Sequence, residues 1–320
     1  MLNKIITVFP GQGSQIVGMG RDLFKNHHVA RQVFGEVDDT LNQKLSKIIF
    51  EGPEDELTLT KNAQPAIMSV SMALVRIIEY ESKKKIFEFS DTILGHSLGE
   101  YSALCCLNAL SLKDTTSLLK KRGVAMQDSV KNLKTKMVAV IGLDINTVEK
   151  VIEENIIETS EICEIANDNC PGQVILSGTE KGVIFISNIL KDNGARSIVD
   201  LKVSAPFHCS LMHKASEVMK DSLNEISLNE LETNFVSNVT ANFEKNSQKI
   251  KELLVKQVSN RVRWRESMIK STKKVNSVVE IGPGKILTGM NKRINRNYKL
   301  SSVSNLDEIN KFLKNFEEIL

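Results

Sequence analysis

At 320 residues, 41% hydrophobic and 25% charged, the chain has the composition of an ordinary globular protein long enough to bury a large core. Its 42 Lys and Arg stand against 39 Asp and Glu, a net charge of +3 that is too small for a nucleic-acid-binding footprint, so no nucleic-acid partner is expected. No run approaches the roughly 18 apolar residues of a membrane span, and the 5 cysteines lack CxxC spacing, which argues against membrane insertion, a disulfide framework and a zinc site.

The N-terminus passes from a short apolar run directly into a Gly-rich turn, without the apolar core and cleavage site of a signal peptide. With the cysteine usage, this points to a reducing cytoplasm. A strand is expected at Ile5–Phe9, a helix over 63–82, a strand at 92–94 and helical segments over 98–130, an alternation that reads as a parallel sheet covered by helices. Between 137 and 203 the rhythm changes to strand 137–142, helix 145–155, strands 162–166 and 173–178, helix 180–193 and strand 197–203. This βαββαβ order is that of a ferredoxin-like unit. The expected division is an α/β core from 1–134 and 204–320 with an inserted ferredoxin-like subdomain at 135–203, ending in a helix over 307–320. The basic clusters Lys83-Lys84-Lys85 and Arg261, Arg263, Arg265 read as solvated faces.

Gly95-His96-Ser97-Leu98-Gly99 is a GxSxG motif set directly after an apolar strand and before a helical stretch, the context of a nucleophile elbow. Ser97 would stand at a helix N-terminus, where backbone N–H groups and the helix dipole meet a developing oxyanion. A serine hydroxyl needs a neighbouring base, and only His27, His28, His96, His208 and His213 are available. His27 and His28 lie in a polar stretch and read as surface residues. His96 adjoins Ser97, and adjacent side chains on such a turn point apart, so it reads as a packing or positioning residue. His208 falls where the inserted unit returns to the main sheet, a place where active-site residues collect, with His213 as its rival. The loop Phe9-Pro10-Gly11-Gln12-Gly13-Ser14-Gln15 follows the first strand but lacks the Lys-Ser/Thr ending of a phosphate-binding loop. It is either a plain strand-to-helix turn or the means of bringing the Gln12 N–H beside Ser97 to form an oxyanion hole with the Leu98 N–H.

Taken together, FPGQGSQ, Ala63-Gln64-Pro65-Ala66, GHSLGEYSAL, Arg122-Gly123 with Met126-Gln127, Ala166-Asn167 with Pro171-Gly172-Gln173, SAPFH ending at His208, and Glu280-Ile281-Gly282-Pro283-Gly284 resemble the malonyl-CoA:acyl-carrier-protein transacylases of bacterial fatty-acid synthesis. The match runs in order along almost the whole chain. The resemblance implies a hydrolase-like core with a ferredoxin-like subdomain and a catalytic dyad of Ser97 and His208. It also implies Gln12 and Leu98 at the oxyanion hole, Arg122 on the malonyl carboxylate, and a Gln257 backbone carbonyl orienting the histidine in place of an aspartate. Two features depart from the pattern: Asn260-Arg261-Val262 stands where the family often has Asn-Pro-Val, and Cys105-Cys106, read as packing residues, follow the nucleophile helix.

The implied reaction passes a malonyl group from malonyl-CoA to acyl carrier protein through a Ser97 ester, by ping-pong kinetics. The chain is expected to work as a monomer without metal or redox cofactor. Arg122 would select a dicarboxylic acyl group through its planar pair of donors. Phe207, by resemblance to polyketide-synthase acyltransferase domains, would crowd the acyl α-carbon and favour malonyl over methylmalonyl. The alternatives are a stand-alone polyketide acyltransferase, a serine thioesterase or esterase, and an inactive carrier-binding protein.

Overall fold

The computed structural model describes residues 4–157 and 159–317. Its strands are β1 (Ile5–Phe9), β2 (Ser90–Gly95), β3 (Thr135–Ile141), β4 (Cys163–Cys170), β5 (Gln173–Thr179), β6 (Ser197–Asp200), β7 (Asn234–Val236), β8 (Phe243–Glu244), β9 (Ser277–Ile281) and β10 (Lys299–Val303). They form two sheets. The larger has the order β10-β9-β1-β2-β7-β8, parallel except at the β7–β8 edge, and the smaller has the order β4-β5-β3-β6, antiparallel throughout.

In the larger sheet, all five residues of β1 are buried, as expected of a central strand covered on both faces. The helix Thr60–Ser82 packs against this sheet at β9 and is buried along most of its circumference, so its polar Gln64 is carried into the interior. The expected helical stretch 98–130 is two helices, Gly99–Cys106 and Leu112–Asp128, broken by a turn at Asn108, where φ is +56°. Ser111 caps the second of these by accepting the Asp114 N–H. Cys105 and Cys106 lie in the main core, as packing residues. The smaller sheet, with the helices Ile145–Ile156 and Glu180–Asp192, has its own apolar cluster around Val138, Val140, Val148, Leu176 and Ile186. The C-terminal helix is Leu306–Glu317, and residues 318–320 of its expected span lie outside the described residues, as do 1–3 of the expected core.

One expectation is corrected. Arg261, Arg263 and Arg265 are not simply a solvated face, because each holds an acid: Arg261 pairs with Glu149, Arg263 with Glu266, and Arg265 with the buried Asp168 at 2.8 Å. The Asp168 pairing joins the two sheets' surroundings, since the Asp168 N–H also donates to the Val262 carbonyl at 2.9 Å and the Val262 N–H to the Ala166 carbonyl at 2.8 Å. The bridge of Val262 to β4 sets Arg261 beside Glu149 of the neighbouring unit, while Arg265, in the first turn of the helix Trp264–Ser271, reaches Asp168 from there. In the lysine cluster, Lys85 pairs with Glu79 and Lys83 lies 4.2 Å from the Tyr80 ring centre. Among the described residues no helix is long and apolar enough to cross a membrane.

Candidate active site

The turn after β2 is built around two glycines. A Cβ at Gly95 would stand 1.9 Å from the Gly99 carbonyl carbon, and one at Gly99 would stand 2.4 Å from the Phe9 carbonyl oxygen, so only hydrogen fits at either place. Between them Ser97 has φ +54°, a left-handed conformation that costs a non-glycine residue about 1–3 kcal/mol. Its surroundings hold it there: its N–H donates to Asn238 Oδ1 at 2.7 Å, and its carbonyl accepts from Gln257 Nε2 at 2.8 Å. The result presents Ser97 Oγ at the start of the helix Gly99–Cys106.

Ser97 Oγ lies 2.8 Å from His208 Nε2. His208 is buried in a tight turn of its own, at φ +59°. Its Nδ1 lies 2.7 Å from the Gln257 carbonyl oxygen, which fixes the proton on Nδ1 and leaves Nε2 as the acceptor for the serine hydroxyl. That carbonyl is available for a helical reason. Gln257 is the last residue of the helix Ser247–Gln257, and the final carbonyls of a helix have no partner within it. The same end of the dipole would favour a positive charge on the His208 ring. Burial, then the Arg122 charge, push the His208 pKa down to about 3, against the pull of the Gln257 carbonyl, so the ring is neutral at pH 7.

Arg122, on Leu112–Asp128, is buried beside Ser97: Nη2 donates to Ser97 Oγ at 3.2 Å and to Gln257 Oε1 at 2.8 Å, and Nη1 donates to Gln64 Oε1 at 2.7 Å. Gly123 lets this helix come close to the helix Thr60–Ser82, which carries Gln64, since a Cβ there would meet the Lys61 Cα at 2.6 Å. The structure therefore brings Ser97, His208, Arg122 and Gln257 into one cluster. Gln12 sits at its edge. The preceding Gly11 lies so close to the elbow that a Cβ would stand 2.8 Å from the His96 carbonyl oxygen, and the Gln12 side chain donates to Thr60 Oγ1 at 3.3 Å. Among the described residues, neither the Gln12 nor the Leu98 N–H donates to a protein acceptor. Phe207 is buried in the main core next to His208. His213 is exposed at the start of the helix His213–Asn224, outside the cluster. His96 packs 5.5 Å from the Trp264 ring, with Nε2 2.9 Å from Asn169 Oδ1.

Four buried polar residues of this network had no role in the sequence reading: Gln64, Glu100, Asn169 and Asn238. Glu100 accepts the Asn238 N–H and the Gln257 side-chain amide, the latter at 2.6 Å, and Asn238 Nδ2 donates to the Gly95 carbonyl at 2.8 Å. Gln64 and Glu100 stand inside motifs already singled out, so their polar character in apolar helices was the available signal. Asn238 lies in no such motif. A cavity of about 330 Å³ is lined by His208 together with Ile152, Glu164 and Arg261.

Known proteins resemble this chain over almost its whole length. The acyl transferase domain family matches residues 6–311. A malonyl CoA-acyl carrier protein transacylase of Bacillus subtilis is 40% identical over 318 residues, covering 99% of this chain and 98% of the relative. The crystal structure of an acyl-carrier-protein S-malonyltransferase from Bartonella henselae is similar at a TM-score of 0.94 and 45% identity, covering 98% of this chain and 99% of that one. A malonyl-transacylase solved in complex with a holo type II polyketide-synthase acyl carrier protein is similar at a TM-score of 0.92 and 35% identity, covering 98% and 99%.

Proposed function

The chain belongs to the acyl transferase domain family and, within it, to the malonyl CoA-acyl carrier protein transacylases, and from that premise we propose that it carries malonyl from coenzyme A to acyl carrier protein as an ester of Ser97. The observation that carries the mechanism is the line from Ser97 Oγ through His208 to the Gln257 carbonyl, with the Arg122 guanidinium beside the nucleophile.

In the first half-reaction Ser97 Oγ attacks the thioester carbonyl while His208 Nε2 takes its proton. The N–H groups of Gln12 and Leu98 receive the oxyanion. As the C–S bond breaks, the imidazolium returns its proton to the departing sulfur, leaving malonyl on Ser97. The second half-reaction reverses these steps, with the phosphopantetheine thiol of the carrier as nucleophile. A thioester is exchanged for a thioester, so no external energy source is needed. Arg122 pairs with the malonyl carboxylate, Gln257 orients His208, and Phe207 bounds the space at the acyl α-carbon.

The same reading covers the architecture. Among the described residues of 1–134 and 204–320 the reading is a hydrolase-like core, and among those of 135–203 a ferredoxin-like subdomain, supported by the β3-helix-β4-β5-helix-β6 order and the β4-β5-β3-β6 sheet. Five free, buried cysteines support a reducing cytoplasm. The test of the transfer step is coenzyme A release from malonyl-CoA with and without holo acyl carrier protein. Release that depends on the carrier is expected, and equal steady-state rates would favour a thioesterase.

A further inference from the structure

One edge of the Arg122 guanidinium is divided. Nε and Nη2 are the parallel pair of donors that a carboxylate takes side-on. The Arg122 Nε is buried without a hydrogen-bond partner among the described residues, whereas Nη2 is shared between Gln257 Oε1 and Ser97 Oγ. A bond donated to Oγ draws on the electron pairs that attack requires. The same cation opposes the imidazolium that His208 must become, adding to the effect of burial, and His96 acts in the same direction. A base held so far below the working pH takes the serine proton poorly.

We propose that Arg122 restrains Ser97 until a carboxylate binds to its Nε–Nη2 edge, so that acylation is switched on by the charge of the acyl group itself. The inference rests on the transacylase reading. A malonyl carboxylate withdraws Nη2 from Ser97 Oγ and offsets the field acting on His208. Acyl transfer then runs as described, with Oγ–C formed, C–S broken and the serine proton delivered to sulfur. An acetyl group leaves the restraint in place even when bound. Selection between the two therefore acts on the chemical step as well as on affinity.

Acetyl-CoA together with formate carries the acyl group and carboxylate of malonyl-CoA without the bond that joins them. The experiment measures single-turnover acetylation of the wild-type enzyme by intact mass, with formate replacing chloride at constant ionic strength. Formate is expected to raise the acetylation rate roughly 10-fold or more, a fraction of what a positioned general base supplies, and to slow malonylation by competition. In Arg122→Ala, or in Arg122→Met should the alanine variant not fold, acetylation should no longer respond to formate. Acetylation of the wild type that formate leaves unchanged or lowers overturns the inference. Failure of malonyl-CoA to form an adduct would instead contradict the transacylase reading, so the two failures are separately visible.

Discussion

The side-chain amide of Gln257 donates to Glu100 at 2.6 Å, with both residues buried. An acid thus stands behind the residue that orients His208, one link further from the imidazole than the aspartate of a triad. Its oxygens accept N–H donors from Gln257 and from Asn238, the residue that holds the Ser97 backbone.

Burial raises the Glu100 pKa from 4.5 to about 8, opposed by the Asn238 N–H, the Gln257 amide and the Arg122 charge. The folded protein therefore keeps a proton that the unfolded chain releases. The resulting stabilisation is full below about pH 4.5 and is lost as pH rises through about 8. Glu100→Gln removes this titration. The difference in Tm between wild type and variant should shift against the wild type from about pH 5 to about pH 9, and a pH-independent difference would contradict the burial of an ionisable Glu100.

His208 carries the next prediction. His208→Ala should lower malonylation at least ~100-fold, the low end for a positioned general base, whereas His213→Ala at the exposed position should leave it near wild type. Because the His208 pKa is depressed to about 3, kcat/KM for malonyl-CoA should hold constant as pH falls from about 7.5 to about 6. A decline centred near 6.5 would show an ordinary, solvated histidine as the base.

Much of this was legible because the glycines and apolar runs act locally. The GxSxG spacing marks a turn where two side chains cannot fit, and the strand before it and helix after it follow from the hydrophobic pattern. The change of rhythm at residue 137 gave the second sheet's element order, although β4 runs on to Cys170 and β6 stops at Asp200. Glu100, Asn238 and Gln64 were not legible in this way. Their roles arise from contacts spanning 138 and 58 residues, Asn238 to Glu100 and Arg122 to Gln64, and a buried amide at one position carries no local mark of its distant partner. The acids that hold Arg261 and Arg265 are hidden for the same reason, since Glu149 and Asp168 lie 112 and 97 residues away, whereas the partner of Arg263 is Glu266, three residues on.

Arg122→Ala should invert acyl specificity. The malonyl carboxylate would enter a buried site without its partner, a penalty of several kcal/mol for breaking such a pair, while acetyl would lose a desolvated neighbour. Expected values of kcat/KM fall roughly 100-fold or more for malonyl-CoA and hold or rise for acetyl-CoA. Equal losses for both substrates would make Arg122 a structural residue.

The covalent intermediate tests the central claim most directly. Wild-type enzyme mixed with malonyl-CoA, without carrier, is measured by intact mass and then by peptide mapping, beside Ser97→Ala, whose fold should persist because one hydroxyl contributes little packing. The account predicts one malonyl adduct on the peptide bearing Ser97, lost on addition of holo acyl carrier protein and absent from Ser97→Ala. A malonylated Ser97→Ala enzyme, or full transfer to the carrier with no adduct detectable on either protein, would contradict it.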